Sequence, residues 1–587
     1  MEGDCGLISD RENNHHIGVD IGTGSARALL IDEDGNSIAS AVAAIHEWQP
    51  RPGIHEQSTS AIWDSVCHAV KEAMLQGKVQ PKSVRSIAFV ATCSLALFTH
   101  DTGEWVAAGG DNQGAVKDHN IILWMDQRAK LETEALNNTH HEYLRYFGGS
   151  ISILMELPKI LWLKNHMPEA DFHRCKFFDL HDALTFMATG NQEFPCTEAC
   201  TRDVISIGVD GTAKGWSQEF LNAVQLGILA ADDFKRVGGV CRHGRAPPAG
   251  TLAGHLSASS AHDLGLGPDV EVGVGTIDSY SGWVGTVGMK FDGDDSPPLY
   301  SRMAVVAGTS ACYIIASRKP VFVEGVWGPF QDWVVPGSWM SEGGQVATGM
   351  LLKHIIEIHP AYDEASRTAD ELKLSIFEYL DRHLEDMRST SKAQDIAYLA
   401  RNYFYYGDLY GNRSPISDPS MTGSVVGLTA DKSINNLAIQ YYGALEFITF
   451  QMRHTISEMN KAGAEINTLF MSGSVVHNTG LIRLIATSCN MPVIIPKSSS
   501  TSVSFGAALL AVKANTKSSS DGKDSLWSIM QSLGQKGDIR QPVDDAFLKD
   551  LLETKYVIYL EQCERQRVFR DMVEKTVSKH IDVAPTR

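Results

Sequence analysis

Apolar and polar residues form the same strand–turn–strand pattern twice, once at the start of the chain and once just past its middle. In the first copy, apolar residues alternate with small or acidic ones from Ile17 to Ile21, which is the period of a β-strand. A glycine-rich, hydroxylated turn follows, and residues 28–42 continue as strand, polar turn and strand, which indicates a hairpin. In the second copy, an apolar strand over 303–307 leads through a small hydroxylated turn into a returning strand at 312–316. The repetition predicts a duplicated architecture.

Further strands and helices follow one another along both halves, which predicts an α/β protein. We expect additional strands at 86–91, 121–124, 270–277, 466–471 and 492–496, and helices at 60–76, 157–164, 177–189, 364–388, 434–460, 478–490, 502–514 and 546–577. Small, polar or charged residues come directly after several of these strands, as Thr92, Asp126 and Asp278 do. Because ligands bind at such strand ends in open α/β sheets, we expect the functional site there.

The first turn has the composition of a phosphate-binding loop. It reads DIGTGSAR over residues 20–27, with glycines at Gly22 and Gly24 and hydroxyl groups at Thr23 and Ser25. Glycines let the backbone approach a phosphate, whose oxygens accept hydrogen bonds from exposed N–H groups. Asp20 stands at the mouth of the turn, where a carboxylate can bind Mg²⁺, usually through water.

Other interpretations of this turn differ in what must follow it. A dinucleotide-binding fingerprint needs a helix after its glycines, whereas here Arg27 occupies the third glycine position and a strand follows. A Walker-type site is excluded, because GxxxxGK[ST] does not occur in the sequence. A glycine-rich hairpin without a function stays open as an alternative.

Two acidic residues at strand ends each have a functional and a structural interpretation. Asp278 precedes what reads as a helix, so it either caps that helix or accepts a proton from a substrate hydroxyl during phosphoryl transfer. Asp126 forms either a surface ion pair with Arg128 or part of a ligand site. Position in the sequence does not decide between these alternatives.

Length and charge narrow the class of protein. The 587 residues exceed what one hydrophobic core holds, so two large domains are expected, with the polar, turn-rich stretch 291–298 as their boundary. The net charge is 51 − 70 = −19, which argues against a general affinity for nucleic acid or anionic membranes. The first residues lack the basic start and apolar run of a signal peptide, and no run of about 18 apolar residues appears. We therefore expect no membrane span.

The cysteine pattern indicates free thiols. Ten cysteines are scattered over the chain, which suits a reducing compartment and predicts a cytoplasmic protein. Cys196 and Cys200 are four residues apart, but no second pair has metal-ligand spacing, so we expect no zinc site.

The motifs together resemble the FGGY carbohydrate kinases, which are sugar kinases of the actin-like ATPase superfamily. The resemblance covers about residues 16–514 and is greatest to the ribulokinase-like branch. It rests on DIGTGSAR (20–27), PGIHEQ (52–57), WMDQRA (124–129), PKILWLK (158–164), GTIDSYSG (275–282), AGTSAC (307–312), EGGQ (342–345), GNRSP (411–415), SGSVVHN (472–478) and SFGAAL (504–509). Together these motifs are far more specific than any one of them.

The resemblance implies an α/β fold with two actin-like, ribonuclease H-like domains around a cleft in which ATP and a sugar meet. Residues 1–15 would be a polar extension, 16–290 the domain with the sugar, magnesium and base sites, 299–514 the ATP domain, and 515–587 a linker and helical tail.

The resemblance also implies roles for individual residues. Asp278 would be the catalytic base, and Asp20 and Asp278 would hold Mg²⁺. The glycine-rich turn would bind the transferred phosphate through Gly22, Thr23, Gly24, Ser25 and Arg27. ATP would be lined by Gly308, Thr309, Gly473, Ser474 and Asn478, and the sugar by Cys93, Trp124, Asp126 and Glu342.

The implied activity is phosphorylation of a free pentulose by ATP with Mg²⁺, and D-ribulose is the expected substrate. L-ribulose, xylulose or glycerol as the substrate stays open, as does a catalytically silent sugar-binding regulator, although Asp20 and Asp278 argue against silence. The adenosine turn has Ser472-Gly473 where two glycines are usual, and residues 196–204 lack the substrate lysine of the bacterial L-ribulokinase pattern. Sugar and ATP are the expected partners, with no nucleic acid or membrane, and a homodimer is compatible with the sequence.

Overall fold

The structure, a computed structural model, describes residues 14–109, 118–191, 205–207, 213–238, 247–292, 298–516 and 525–580, without the side chains of 205–216. The predictions made for the N-terminal extension before residue 14, for Cys196 and Cys200, and for the lysine-free stretch 196–204 lie outside the described residues.

The first half of the chain forms a six-stranded sheet and a five-stranded sheet. Its strands are β1 His15–Ile21, β2 Ser25–Asp32, β3 Ser37–Ala44, β4 Trp48–Arg51, β5 Ile54–Gln57, β6 Val84–Ala91, β7 Leu95–Thr99, β8 Ile121–Ile122, β9 Cys175–Asp179, β10 Ile205–Ile207, β11 Ala213–Trp216, β12 Leu252–His255 and β13 Glu271–Gly273. The six-stranded sheet has the order β12-β13-β6-β1-β2-β3, and the five-stranded sheet has the order β4-β5-β8-β7-β9. The predicted hairpin is confirmed, because β1, β2 and β3 pair antiparallel in sequence.

The central strands of the six-stranded sheet bring Asp20, the residues after β6 and Asp278 to the same edge of the sheet. β1 pairs parallel with β6, and β6 pairs parallel with β13. Asp20 is opposite Val90 in that register, and Ala91 forms a bridge with Ile277. The chain segments that follow β1, β6 and β13 therefore leave the sheet side by side, as parallel strands require.

The second half repeats this scheme in a seven-stranded sheet. Its strands are β14 Arg302–Ala307, β15 Ala311–Ser317, β16 Trp327–Gln331, β17 Trp339–Gln345, β18 Phe404–Gly407, β19 Gly423–Val426, β20 Thr468–Ser472, β21 Val493–Pro496 and β22 Gly537–Arg540. The order is β16-β17-β15-β14-β20-β21-β22, while β18 and β19 pair separately. The first strand of the second hairpin, β14, pairs parallel with β20, just as β1 of the first hairpin pairs parallel with β6. The predicted duplication is confirmed.

The helices cover the sheets and connect parallel strands. They are α1 Thr59–Gly77, α2 Lys130–Asn137, α3 Glu156–His166, α4 Glu169–Arg174, α5 Leu180–Thr189, α6 Gln218–Ala223, α7 Ala231–Phe234, α8 Ala258–Leu264, α9 Asp278–Val287, α10 Gly349–Glu357, α11 Tyr362–Glu371, α12 Ile376–Ser391, α13 Ile396–Leu399, α14 Ile434–Lys461, α15 Thr479–Cys489, α16 Ser502–Asn515, α17 Leu526–Leu533 and α18 Ala546–His580.

Two of the predicted helices have different bounds. The helix expected over 364–388 is two helices, α11 and α12, and α12 starts anew because Ser375 and Glu378 form a capping box. The helix expected over 177–189 begins only after Asp179, because Phe177 and Phe178 belong to β9. A short apolar run does not distinguish a buried strand from a buried helix, so its periodicity could not place this boundary.

Helix α16 is the last helix of the predicted second domain in sequence but packs against the first sheet, on β1, β6 and β13, and against α9. A Cβ atom on Gly18 of β1 would lie 2.0 Å from the Ser504 carbonyl oxygen, so glycine is needed for the helix to approach the strand. A Cβ atom on Gly506 would lie 1.9 Å from the carbonyl oxygen of Ser281 on α9. The predicted boundary between residues 290 and 299 therefore divides the chain in sequence, but α16 from the second half packs against the sheet of the first half.

The linker and helical tail predicted after residue 515 contain packed elements over residues 525–580, the part that the structure describes. Helix α17 buries Leu526, Ile529 and Met530 in the first core, and β22 extends the second sheet. The first half of α18 buries apolar side chains in the second core, and its Lys555 forms a buried ion pair with Glu446 of α14. The charged residues around these short apolar clusters concealed them in the sequence.

Candidate active site

The edge where β1 and β13 end carries two carboxyl groups close together. Asp20 is the next-to-last residue of β1, and Asp278 is the first residue of α9. Burial raises the pKa of Asp20 to about 7, with Arg27 opposing the shift. Burial, with repulsion from Asp20 next, raises the pKa of Asp278 to about 8. Burial therefore disfavours the ionised form of both carboxyl groups, and repulsion adds to this at Asp278.

Asp278 also has the local contact expected of a residue at a helix start. Its Oδ1 accepts the N–H of Ser279 at 2.7 Å. Asp278 is the first residue of α9, whereas Ile277 occupies the N-cap position, so this contact alone does not account for the second carboxyl group nearby.

The chemistry of this pair fits Mg²⁺. Among the described residues no group of three or more His, Cys, Asp or Glu side chains has a metal-binding arrangement. Mg²⁺ keeps several waters and is held by one or two carboxylates together with substrate phosphates, so Asp20 and Asp278 suffice as its protein contacts.

The raised pKa values lead to a prediction about stability. A carboxyl group whose pKa is raised in the folded state contributes stability that is full below about pH 4 and is lost as the pH rises through about 7 to 8. We expect the melting temperature of the ligand-free protein to fall between about pH 4 and pH 8, and to fall less in Asp278→Asn. Scanning calorimetry of both proteins measures this difference.

A cation should reverse the effect. Mg²⁺ with a non-hydrolysable ATP analogue should raise the melting temperature of the wild type more at about pH 8.5 than at about pH 6, because it binds the ionised carboxylates. Equal pH dependence in the wild type and Asp278→Asn would contradict the assignment of these pKa values.

One backbone hydrogen bond and two side chains hold the glycine-rich turn in its conformation. The Gly22 N–H donates to the Ser25 carbonyl oxygen at 3.0 Å and closes the turn. The Gln57 side-chain amide donates to the Thr23 carbonyl oxygen at 2.7 Å, and the Trp124 indole N–H donates to the Thr23 hydroxyl at 3.0 Å. Gly24 at the tip is exposed, with no atom within 4 Å of a Cβ placed there. The turn thus presents its backbone without obstruction.

The second-domain turns come together as the sequence predicts. The Gly308 N–H donates to the Ser310 carbonyl oxygen at 2.8 Å, and the N–H of Thr348 donates to the Thr309 carbonyl oxygen at 2.9 Å. Gly473 has φ of 92°, and a Cβ there would lie 2.1 Å from the Ala307 carbonyl oxygen. Both the positive φ and the close approach require glycine at this position.

Ser474 and Asn478 occupy the same turn region with different roles. The Ser474 hydroxyl oxygen is 3.9 Å from the Cβ position of Gly308, so the two turns are neighbours. Asn478 caps α15 by accepting the Leu481 N–H at 2.8 Å, and its side-chain amide donates to the Tyr441 hydroxyl. The Asn478 side chain is therefore committed to holding the turn.

Asp126 is buried, and both oxygens of its carboxylate accept hydrogen bonds from other groups of the protein. Its two oxygens accept the His55 N–H at 2.7 Å and, from Arg128, the backbone N–H, Nε and a terminal nitrogen, each at 2.9 Å. Arg128 also binds Glu56 at 3.0 Å. The sequence left a surface ion pair open as an alternative. The ion pair exists, but it is buried and positions the chain around Trp124.

Glu342 lies on β17 of the second sheet and faces the first domain. Arg413, from the GNRSP motif, donates to Glu342 Oε1 at 2.6 Å and stacks 3.7 Å from the centre of the Trp327 ring. Repulsion from Glu342 contributes to the raised pKa of Asp278, after burial and repulsion from Asp20, so the charge of Glu342 on the second sheet acts on Asp278.

Cys93 leads to residues that the sequence interpretation missed. It follows β6, is partly exposed, and donates to Glu156 Oε1 at 2.9 Å. Lys159 is buried nearby, donating to the carbonyl oxygens of Trp124 and Leu154 at 3.2 and 2.9 Å. Burial lowers the pKa of Lys159. Glu156 and Lys159 lie in the apolar helix α3, whose pattern indicated only a core helix.

The comparisons with known proteins agree with this architecture. The model of the FGGY family of carbohydrate kinases, N-terminal domain, matches residues 15–285, and that of the C-terminal domain matches residues 303–515. The chain is 43% identical over 521 residues to the D-ribulokinase YDR109C of Saccharomyces cerevisiae, covering 86% of this chain and 72% of that protein. It is 33% identical over 565 residues to a Homo sapiens FGGY carbohydrate kinase domain-containing protein, covering 95% and 98% of the two chains.

Solved structures share the fold. A gluconate kinase from Lactobacillus acidophilus superimposes with a TM-score of 0.71 at 19% identity, covering 94% of this chain and 98% of that one. A ligand-bound xylulose kinase from the same organism gives 0.70 at 19% identity with the same coverage. Within the described residues, no helix is both long and apolar enough to cross a membrane.

Proposed function

The chain belongs to the FGGY family of carbohydrate kinases, and from that premise we propose that it transfers the γ-phosphoryl group of ATP to D-ribulose, giving D-ribulose 5-phosphate. The observation that carries the kinase assignment is the pair Asp20 and Asp278, which lie near the end of β1 and at the start of α9, next to the glycine-rich turn that follows β1. The choice of D-ribulose follows the similarity to the Saccharomyces cerevisiae D-ribulokinase.

The chain's own groups supply positioning and charge. Asp278 accepts the proton of the attacking sugar hydroxyl, while the exposed N–H groups around Gly24 hold the transferred phosphoryl group. Gly308, Thr309, Gly473 and Ser474 line the remainder of ATP. Holding the hydroxyl in line with the phosphorus accounts for most of the rate, because phosphoryl transfer asks little covalent chemistry of the protein.

Mg²⁺ is part of the proposal. When bound at Asp20 and Asp278 it would offset the negative charge of the phosphates. A cation beside Asp278 also favours its ionised form, which a general base needs near neutral pH, since the raised pKa of about 8 otherwise keeps it protonated.

The acceptor-rich surroundings favour an uncharged sugar. Asp278 and Glu342 meet across the cleft, and Arg413 is engaged with Glu342. A sugar phosphate or acid would be repelled there, whereas hydroxyl groups donate to carboxylates. A silent sugar-binding regulator is the second candidate, but it gives no reason for two carboxyl groups beside a phosphate-binding turn.

The test of the substrate is a competition among sugars. With ATP and Mg²⁺, we expect kcat/KM for D-ribulose to exceed that for L-ribulose, D-xylulose and glycerol by at least about tenfold, the equivalent of one hydrogen bond. Phosphorylated products are separated by chromatography after incubation with equal concentrations of the four. Glycerol or D-xylulose phosphorylated fastest would contradict the D-ribulose assignment, and turnover of a sugar phosphate alone would contradict the uncharged-sugar argument.

A further inference from the structure

Two buried carboxylates beside the cleft each keep one oxygen without a hydrogen-bond donor among the described residues. Glu156 and Asp179 are 1% and 0% exposed. Glu156 Oε1 accepts from Cys93, whereas Oε2 is buried without a hydrogen bond. Asp179 Oδ1 accepts the Leu180 N–H at 2.7 Å, whereas Oδ2 is buried and its nearest polar neighbour is His181 Nε2 at 3.5 Å, an ion-pair contact when the imidazole is protonated.

Both carboxylates lie at the strand end that carries Cys93. Glu156 is the first residue of α3 and reaches Cys93 directly. Asp179 ends β9 in register with Leu95, and the N–H of the following residue donates to the Ser94 carbonyl oxygen at 2.9 Å. The two acids therefore flank residues 93–95, directly after the strand that runs between β1 and β13.

Their proximity to each other and to the catalytic edge appears in the electrostatics. Burial is the largest cause that raises the pKa of Asp179 to about 6, and repulsion from Glu156 adds to it. Repulsion from Asp179 in turn contributes to the raised pKa of Asp278. The charge of Glu156 therefore acts on Asp179, and the charge of Asp179 acts on Asp278.

Leaving a buried acceptor unpaired costs about 1–3 kcal/mol, and more for a charged group. Asp126, in the same domain, shows the ordinary outcome, because protein donors fill all of its acceptor positions. Two neighbouring carboxylates that are both left incomplete therefore point to donors that a ligand brings. Hydroxyl groups of a sugar are such donors.

We infer that Glu156 and Asp179 accept hydrogen bonds from the non-reacting hydroxyls of the sugar and so determine which ketose the enzyme selects. The inference rests on the proposed function for the class of substrate. Asp278 then accepts the proton of the hydroxyl that attacks phosphorus, while the other two carboxylates accept hydrogen bonds from hydroxyls at the far end of the same sugar. A site built to bond a hydroxyl rejects an analogue that lacks it, by up to about 10⁴-fold.

The test uses isosteric amides in the full-length protein. Glu156→Gln and Asp179→Asn keep the shape and replace an acceptor oxygen with a donor. We expect KM for D-ribulose to rise at least about tenfold in each, while KM for ATP stays within about threefold. Glu132→Gln is the matched control, because Glu132 is a buried carboxylate of α2 bonded to Asn165, and its KM values should not change.

Deoxy analogues separate contact from a merely structural role. The wild type should bind at least one non-reacting monodeoxy analogue of D-ribulose about tenfold more weakly, and the matching variant should lose no further affinity for that analogue. Calorimetric titration without nucleotide measures each affinity. Additive losses in both variants, or a lowered melting temperature with unchanged KM, would overturn the inference.

A failed proposal about D-ribulose is distinguishable from a failed inference. If the wild type phosphorylates another ketose best, the same variants are measured on that ketose, and unchanged KM values would still overturn the inference. If no ketose binds in the titration, both proposals fall. Should either amide variant not fold, Asp179→Glu keeps the charge but moves the carboxylate, and an unaltered order of preference among ketoses would count against the assignment.

Discussion

Asp278→Asn is expected to lower kcat by about 10²- to 10⁴-fold while KM for ATP and for the sugar stay within about threefold, since general base catalysis contributes a factor of that size. The amide keeps the shape and the hydrogen bond to the Ser279 N–H but cannot accept the proton of the substrate hydroxyl. Removal of the repulsion with Asp20 leaves binding intact. Steady-state kinetics with saturating ATP and Mg²⁺ measure the loss.

Asp545→Asn is the matched control for a helix cap. Asp545 accepts the Leu548 N–H at 3.0 Å at the start of α18, away from the cleft. Its kcat should equal that of the wild type. If Asp278→Asn retains more than about a third of the wild-type kcat, then Asp278 serves only as a helix cap, because a lost general base costs far more.

Gly506→Val is expected to lower the free energy of unfolding by about 3 kcal/mol or more. The Cβ atom would lie 1.9 Å from the carbonyl oxygen of Ser281 and 2.7 Å from its carbonyl carbon. These atoms belong to the backbone of α9, so no side-chain rotation relieves the overlap. Gly285 of α9 approaches the Ser502 carbonyl oxygen in the same way, with a Cβ position 2.1 Å away, which makes the helix contact tight from both sides.

The measurement is the midpoint of urea unfolding, or the half-life at elevated temperature if unfolding is irreversible. Gly267→Ala is the control, because a Cβ atom at Gly267 has no atom within 4 Å and its φ is not positive. It should change stability by no more than about 0.5 kcal/mol. A Gly506→Val protein with the wild-type midpoint would show that α9 and α16 pack less tightly than described here.

The contact between α9 and α16 also concerns function. Asp278 is the first residue of α9, which packs against α16 on one side and against β14 of the second sheet on the other. A displacement of α9 therefore moves the catalytic carboxyl group. Any folded fraction of Gly506→Val should show a lower kcat as well as lower stability.

Local sequence determined the strands, the turns and the residues at strand ends. The strand period from Ile17 to Ile21 and its repetition over 303–307 were sufficient to predict both hairpins, because these signals depend only on neighbouring residues. Asp20 and Asp278 were recognisable for the same reason, since a carboxylate near the end of an apolar strand is visible in one line of sequence. The motifs then identified the family.

The sequence did not show which distant residues contact each buried position. Gly18 alternated like a polar strand position, but it is glycine because the Ser504 backbone of α16 lies against it. The sequence did not single out Glu156, and its contact with Cys93 appears only in the structure. Asp126 was predicted to line the sugar, and the structure adds that its oxygens accept hydrogen bonds from protein donors.

The division between the two sources of information has one physical cause. The spacing of residues along one strand or helix fixes its conformation and its apolar face, so the elements, the turns and the strand-end carboxyl groups followed from the sequence. The packing of α16 on the first sheet, the pairing of Glu342 with Arg413, and the unfilled oxygens of Glu156 and Asp179 arise from residues far apart in the chain. Those contacts depend on how the two halves assemble, and only the tertiary structure determined them.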